Sequence, residues 1–98
     1  MKQSLDVLLA LAEPTRYQAV SILWDGRERC VCELIDLLDK SQSCVSRHMT
    51  LLKRVGLVVD RRDAQWVRYR RNPDLSKAVV TLIEAVLNLE KPAKRKAA

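Results

Sequence analysis

The hydrophobic period of this chain switches from helical to alternating at Gly56, and that switch limits the possible fold more than any other feature. Before it, apolar residues recur at helical spacing. After it, Leu57-Val58-Val59 opens a strand and Trp66-Val67-Arg68-Tyr69-Arg70 alternates as a second, with Asp63-Ala64-Gln65 as the turn. A single short hairpin cannot form a core of its own in water, so it must rest on the helices around it.

Four helical segments precede the hairpin. The first spans Ser4 to Ala12, where Leu5, Leu8, Leu9 and Ala12 share a stripe. The second restarts at Glu13-Pro14-Thr15-Arg16, with proline in the first turn. It runs to about Trp24, places Tyr17, Val20, Leu23 and Trp24 inward, and ends at Asp25-Gly26. The third covers Glu33 to Leu38, with Leu34, Leu37 and Leu38 inward. The fourth is capped by Ser41, buries Val45, Met49, Leu52 and Val55, and closes at Gly56. After the hairpin, Asn72-Pro73-Asp74 breaks the chain and starts a last, strongly apolar helix. The expected fold is mainly α with a small β-hairpin, in the order α-α-α-α-β-β-α. That is a winged helix-turn-helix, with residues 1–90 as one domain and 91–98 as a basic disordered tail.

The chain has 98 residues, and a domain of this size buries only about 60–65% of its unfolded surface. Val79, Val80, Leu82, Ile83, Val86, Leu87 and Leu89 cover much of the last helix. The alternatives are a helix lying wholly on its own core and a helix shared with a second copy. A homodimer using Leu5, Leu8, Leu9, Val79, Ile83, Val86 and Leu87 is the expectation. No apolar stretch approaches the roughly 20 residues of a membrane span, and no secretory leader pattern is visible. The chain therefore reads as soluble, cytoplasmic and without a membrane partner. Three cysteines, an odd number, argue for reduced thiols over a disulfide framework.

The formal net charge is +6, and its placement carries the information. Residues 41–71 hold eight basic groups against Asp60 and Asp63, while both flanks are mildly acidic. Such an island suits a phosphate-facing surface. In a winged helix-turn-helix the second helix enters the major groove of double-stranded DNA with its first turns facing the bases. Here those turns present Gln42, Ser43, Ser46, Arg47 and His48, with Cys44 among them. Gln suits adenine, Arg suits guanine, and Ser bonds bases or phosphate. Arg61, Arg62 and Arg68 would lie along phosphates. A lone His on a helix face is otherwise ordinary polar surface, and no second His exists to make it a metal ligand.

At this point the sequence resembles the ArsR/SmtB family of metal- and metalloid-sensing repressors, over about residues 5–71. Leu8-Leu9-Ala10-Leu11-Ala12-Glu13-Pro14-Thr15-Arg16 is similar to the family's opening, and Cys30-Val31-Cys32-Glu33-Leu34 to its Cys-Val-Cys box. Ser41-Gln42-Ser43-Cys44-Val45-Ser46-Arg47-His48 resembles its recognition helix, with Cys44 where Thr is usual. Gly56-Leu57-Val58, Arg61-Arg62 and Trp66-Val67-Arg68-Tyr69 resemble its wing. The resemblance implies a homodimer on an inverted-repeat operator, released when an ion binds, with the first and last helices at the dimer interface.

Cys30 and Cys32 are the expected ion site. Thiolates are soft ligands, and Arg27, Arg29 and a helix start nearby favour the ionised form. Residues i and i+2 of a regular helix point about 200° apart, whereas two sulfurs sharing one ion must lie roughly 4 Å apart given bonds near 2.3 Å. Ion capture is thus expected to hold or distort the helix start. The family's arsenite sensors often carry a third Cys where this chain has Ile35. Its other sites, on an N-terminal Cys arm or on His and acidic residues of the last helix, lack their residues here. Cys44 is expected to lie too far along the fold to join. Two thiolates suit As(III) or Sb(III) as a regulatory ligand, with a further ligand from solvent or a small thiol, better than a four-ligand structural zinc. The alternatives are a repressor of the same fold that senses thiol oxidation, and a metal-inert DNA-binding module. An enzyme is not expected: no base, Gly-rich loop or second domain accompanies the cysteines, and no catalytic cofactor is implied.

Overall fold

The computed structural model describes residues 3–90, so the expected disordered tail at 91–98 lies outside the described residues. The elements are α1 (Gln3–Leu11), α2 (Pro14–Leu23), β1 (Arg29–Cys30), α3 (Val31–Leu38), α4 (Gln42–Arg54), β2 (Val58–Asp63), β3 (Trp66–Arg71) and α5 (Lys77–Leu89). All five expected helices and the hairpin are present. One element is added: β1, two residues long, pairs antiparallel with β3 and turns the hairpin into a three-stranded sheet of order β1-β3-β2. Two residues are too short to show a period, which is why no pattern announced it.

The core joins every helix to the sheet. Val7, Leu11, Val20, Leu23, Leu34, Val45, Met49, Leu52, Val58 and Ile83 belong to one buried cluster. Val45, Met49 and Leu52 form the inward stripe of α4, as their spacing requires. Two inward assignments change. α3 starts two residues earlier than its apolar spacing suggested and buries Leu34 and Leu38, leaving Leu37 exposed. α2 buries Thr15, Ala19, Val20 and Leu23, with Tyr17 only half-buried.

The two ends of the fold differ as dimer candidates. Leu5, Leu8 and Leu9 are 56%, 46% and 66% exposed. On α5, by contrast, Val79 and Ile83 are buried in the protomer's own core and Leu87 packs against it. Ile83, fully buried, has no surface to offer a partner. The apolar residues of α5 therefore divide between the protomer's own core and half-buried or exposed positions such as Val86 and Leu89, a division the sequence pattern could not make.

Gly56 ends α4 with φ +87°, and its N–H donates to the Lys53 carbonyl at 3.0 Å. A Cβ there would meet no atom within 4 Å, so alanine would suffer backbone strain alone. Gly56→Ala is expected to lower unfolding stability by about 1–2 kcal/mol, read by urea denaturation with an unchanged m-value. A neutral result would mean that the turn relaxes out of the left-handed region.

Candidate nucleic-acid interface and thiol pair

α4 follows α3 after a three-residue turn in which Asp39 takes a left-handed conformation, φ 55°. Ser41 then caps α4, its Oγ accepting from the Cys44 N–H at 3.2 Å. With one stripe of α4 buried, Gln42, Ser43, Arg47, Thr50 and Arg54 stand in solvent on the other side. Ser46 is half-buried, and its carbonyl accepts from the Thr50 hydroxyl at 2.8 Å. Gln42, Ser43 and Arg47 are thus presented as the sequence suggested.

His48 sits elsewhere. Its side chain is only 20% exposed, Nδ1 lies 3.2 Å from Arg16 Nη1, and Nε2 lies 3.7 Å from Glu13 Oε1. The same Arg16 donates through Nε to the Ala10 carbonyl at 2.8 Å and through Nη2 to the Leu9 carbonyl at 3.2 Å, while Glu13 Oε1 accepts from the Arg16 N–H. Burial works against ionisation of Glu13, but the Arg16 N–H and His48 outweigh it and hold its carboxyl below the usual range. The Glu13-Pro14-Thr15-Arg16 segment therefore clamps the end of α1 to the start of α2, and His48 ties the recognition helix to that clamp.

The wing arginines also separate. Arg61 donates to both carboxylate oxygens of Glu28 at 2.6 and 2.9 Å, and Arg68 donates to Asp63 at 2.9 Å. Arg62 lies on the opposite face of β2 from Arg61 and has no ion pair among the described residues. Lys53 is held by Asp60 at 3.1 Å, and Arg71 lies 4.0 Å over the Trp24 ring. Arg54 and Arg70 are exposed and unpaired among the described residues. They belong to the basic island, but only the fold distinguishes them from its ion-paired members.

Cys30 is the N-cap of α3. Its backbone is extended, φ −65° and ψ 148°, and its Sγ accepts from the Cys32 N–H at 3.3 Å. The Cys30 N–H donates to Glu33 Oε1 at 2.9 Å, completing a capping box. A residue in extended conformation escapes the angular rule of a regular helix. The 200° separation expected for i, i+2 therefore does not apply, and the Cys30 sulfur turns back toward the start of the helix, where it accepts from the Cys32 N–H. Interaction with the Cys32 thiol is the main cause holding the Cys30 thiol below its usual range, aided by the Cys32 and Glu33 N–H groups and the Arg68 guanidinium, with burial opposing. The same interaction pushes the Cys32 thiol up. Cys30 is buried and Cys32 exposed, so the pair opens to solvent through Cys32.

Among the described residues, no group of three His, Cys, Asp or Glu side chains is placed to hold one ion. Cys44, half-buried in the first turn of α4, does not join the pair. The donor set is two adjacent sulfurs with solvent access, which fits a thiophilic ion that completes its coordination from solution.

A helix-turn-helix with an exposed polar recognition face and a basic hairpin beside it is the winged DNA-binding class of transcriptional regulator. Residues 13–59 match the family described as "Bacterial regulatory protein, arsR family". The chain is 40% identical over 82 residues to "Arsenic resistance transcriptional regulator ArsR2" of Pseudomonas putida, covering 84% of this chain and 71% of that protein. It is 39% identical over 80 residues to the "Arsenical resistance operon repressor" of Escherichia coli K12, covering 82% and 68%. Its fold matches the solution structure of a homodimeric winged helix-turn-helix DNA-binding domain from Mycobacterium bovis, with a TM-score of 0.73, 29% identity, and coverage of 89% of this chain and 77% of that one. The chain belongs to the arsR family of bacterial transcriptional repressors, a family of DNA-binding regulators. Among the described residues, no helix is long and apolar enough to cross a membrane.

Proposed function

We propose that this chain is a cytoplasmic homodimeric repressor that holds an inverted-repeat operator and leaves it when Cys30 and Cys32 capture As(III) or Sb(III). The observation that carries this reading is the sulfur pair, brought together by an extended N-cap residue at the base of the helix-turn-helix. The names of the relatives support the arsenical choice. DNA contact falls to Gln42, Ser43, Ser46 and Arg47 on α4 and to Arg62 on the wing. Arg61 and Arg68 reach phosphate only by sharing their carboxylate partners, and His48 positions α4. Leu5, Leu8, Leu9 and Val86 form the dimer contact.

Capture needs no redox change. With arsenous acid, two As–OH bonds break, two As–S bonds form, and the two thiol protons leave with the hydroxyls as water. Cys30 attacks first, its thiol proton leaving with the first hydroxyl, because the thiolate is the nucleophile and this thiol is the one held below its usual range. Release from DNA then requires that the ion favour the off-DNA state.

The test is fluorescence anisotropy of labelled operator, with excess reductant, across an arsenite titration of four proteins. Wild type is expected to weaken by about 5- to 150-fold. Cys30→Ser and Cys32→Ser should bind operator normally yet fail to release it. Serine is itself a good N-cap, so Cys30→Ser removes the ligand without removing the cap. Cys44→Ser should release like wild type. Normal release from both Cys30→Ser and Cys32→Ser would remove the sensor. A Cys44→Ser protein deaf to arsenite would place Cys44 in the site.

A further inference from the structure

We propose that the thiol pair acts on DNA through the wing, with strand β1 as the connecting part and Glu28 and Arg68 as its positioning residues. This rests on the reading of Cys30 and Cys32 as the ion site. Cys30 holds two structural positions at once. It is the N-cap of α3, and it is the last residue of β1, where it pairs with Arg68 of β3. Arg68 in turn holds Asp63, the residue that closes the wing turn opposite Trp66. Immediately before β1, Glu28 grips Arg61 of β2 with two hydrogen bonds of 2.6 and 2.9 Å. One short segment, residues 28–30, is therefore fastened to both strands of the hairpin.

The route through the core is stiffer. α3 meets α4 through Leu34, Leu38, Val45 and Met49, all buried, and close-packed interiors do not deform continuously. β1 has two residues and two pairing partners, and so short a strand opens at little free-energy cost. An ion held by both sulfurs fixes the Cys30 side chain relative to Cys32. Cys30 cannot then turn without moving the backbone that faces Arg68. The soft joint is the one that moves, and the hairpin moves with it.

Two measurements test this. The first is amide hydrogen exchange of the reduced protein with and without arsenite. Altered protection is expected at residues 66–71 and 58–63, with the interior of α4, residues 49–52, unchanged. The second uses Glu28→Gln and Arg68→Gln. Glu28→Gln should bind arsenite with wild-type affinity, measured from thiolate–arsenic absorbance, and Arg68→Gln, whose guanidinium also acts on the Cys30 thiol, is compared with wild type at saturating arsenite. The factor by which arsenite weakens operator binding should fall about three- to tenfold relative to wild type in each. A merely structural role would lower stability or basal DNA affinity and leave that ratio alone. Exchange changes confined to α3 and α4, or a full wild-type ratio in both variants, would overturn the wing route and leave the sensor intact. A wild-type protein that binds no arsenite would overturn the inference together with the reading beneath it.

Discussion

A chain carrying Leu5→Glu and Leu9→Glu is expected to fold, to sediment as a monomer at micromolar concentration, and to lose operator binding by at least about 100-fold. Both leucines lie on α1 one helical turn apart, and both are more than half exposed in the protomer. Glutamate there costs the isolated fold little. In the proposed dimer the same leucines meet their own copies across a two-fold axis, where each buried leucine contributes about 1.5–3 kcal/mol. Replacing them puts unpaired charges into a surface meant to be dry. The loss on DNA follows from linkage of half-sites, since joining two modules raises avidity by roughly 10²–10⁴ with no additional interactions. The control is Ile83→Glu. That side chain is fully buried within the protomer, so the expected result is unfolding. Circular dichroism separates the two cases. A folded Leu5→Glu, Leu9→Glu protein that still sediments as a dimer would move the interface off α1.

Much of this fold follows from the spacing of a few residues. Val45, Met49 and Leu52 mark the inner face of α4 by period alone, and Gly56 marks its end by the left-handed turn that glycine favours. What spacing could not show is partition between competing uses of one residue type. Eight basic groups look alike along residues 41–71, yet Lys53, Arg61, Arg68 and Arg71 are held by Asp60, Glu28, Asp63 and Trp24, while Arg47, Arg54, Arg62 and Arg70 are unpaired among the described residues. Two of those pairings, Arg61 with Glu28 and Arg71 with Trp24, join residues distant along the chain, and Arg68 meets Asp63 only across the hairpin. The thiol pair shows the same limit from the other side. Cys-x-Cys is readable as a ligand pair, but the 200° separation holds only when both residues lie inside the helix. The N-cap position of Cys30 removes that condition, and its sulfur lies against the Cys32 N–H at 3.3 Å. His48 is legible as a polar residue on α4, but its partners Arg16 and Glu13 lie more than thirty positions away.

The unpaired cations set the last expectation, which concerns how the operator is read. Arg47→Ala is expected to cost about 1–3 kcal/mol per half-site and to relax specificity at one base pair in each. For a homodimer that compounds to roughly 2–6 kcal/mol, a loss of about 30-fold or far more. Arg62→Ala should weaken all sequences alike. Each protomer then neutralises one phosphate fewer, so the slope of log affinity against log salt should fall by about 2. Arg61→Ala should change that slope less, because Glu28 already neutralises the guanidinium through two short hydrogen bonds and the charge presented to DNA is smaller. His48→Ala should lower stability and affinity together, with specificity unchanged, because its ring faces Arg16 and Glu13 instead of the groove. Anisotropy titrations at several salt concentrations, on the operator and on single-base variants, separate these outcomes. Full operator affinity in both Arg47→Ala and Arg62→Ala would mean that the groove is read by another face of the domain. A change of base preference in His48→Ala would put that ring on the DNA after all.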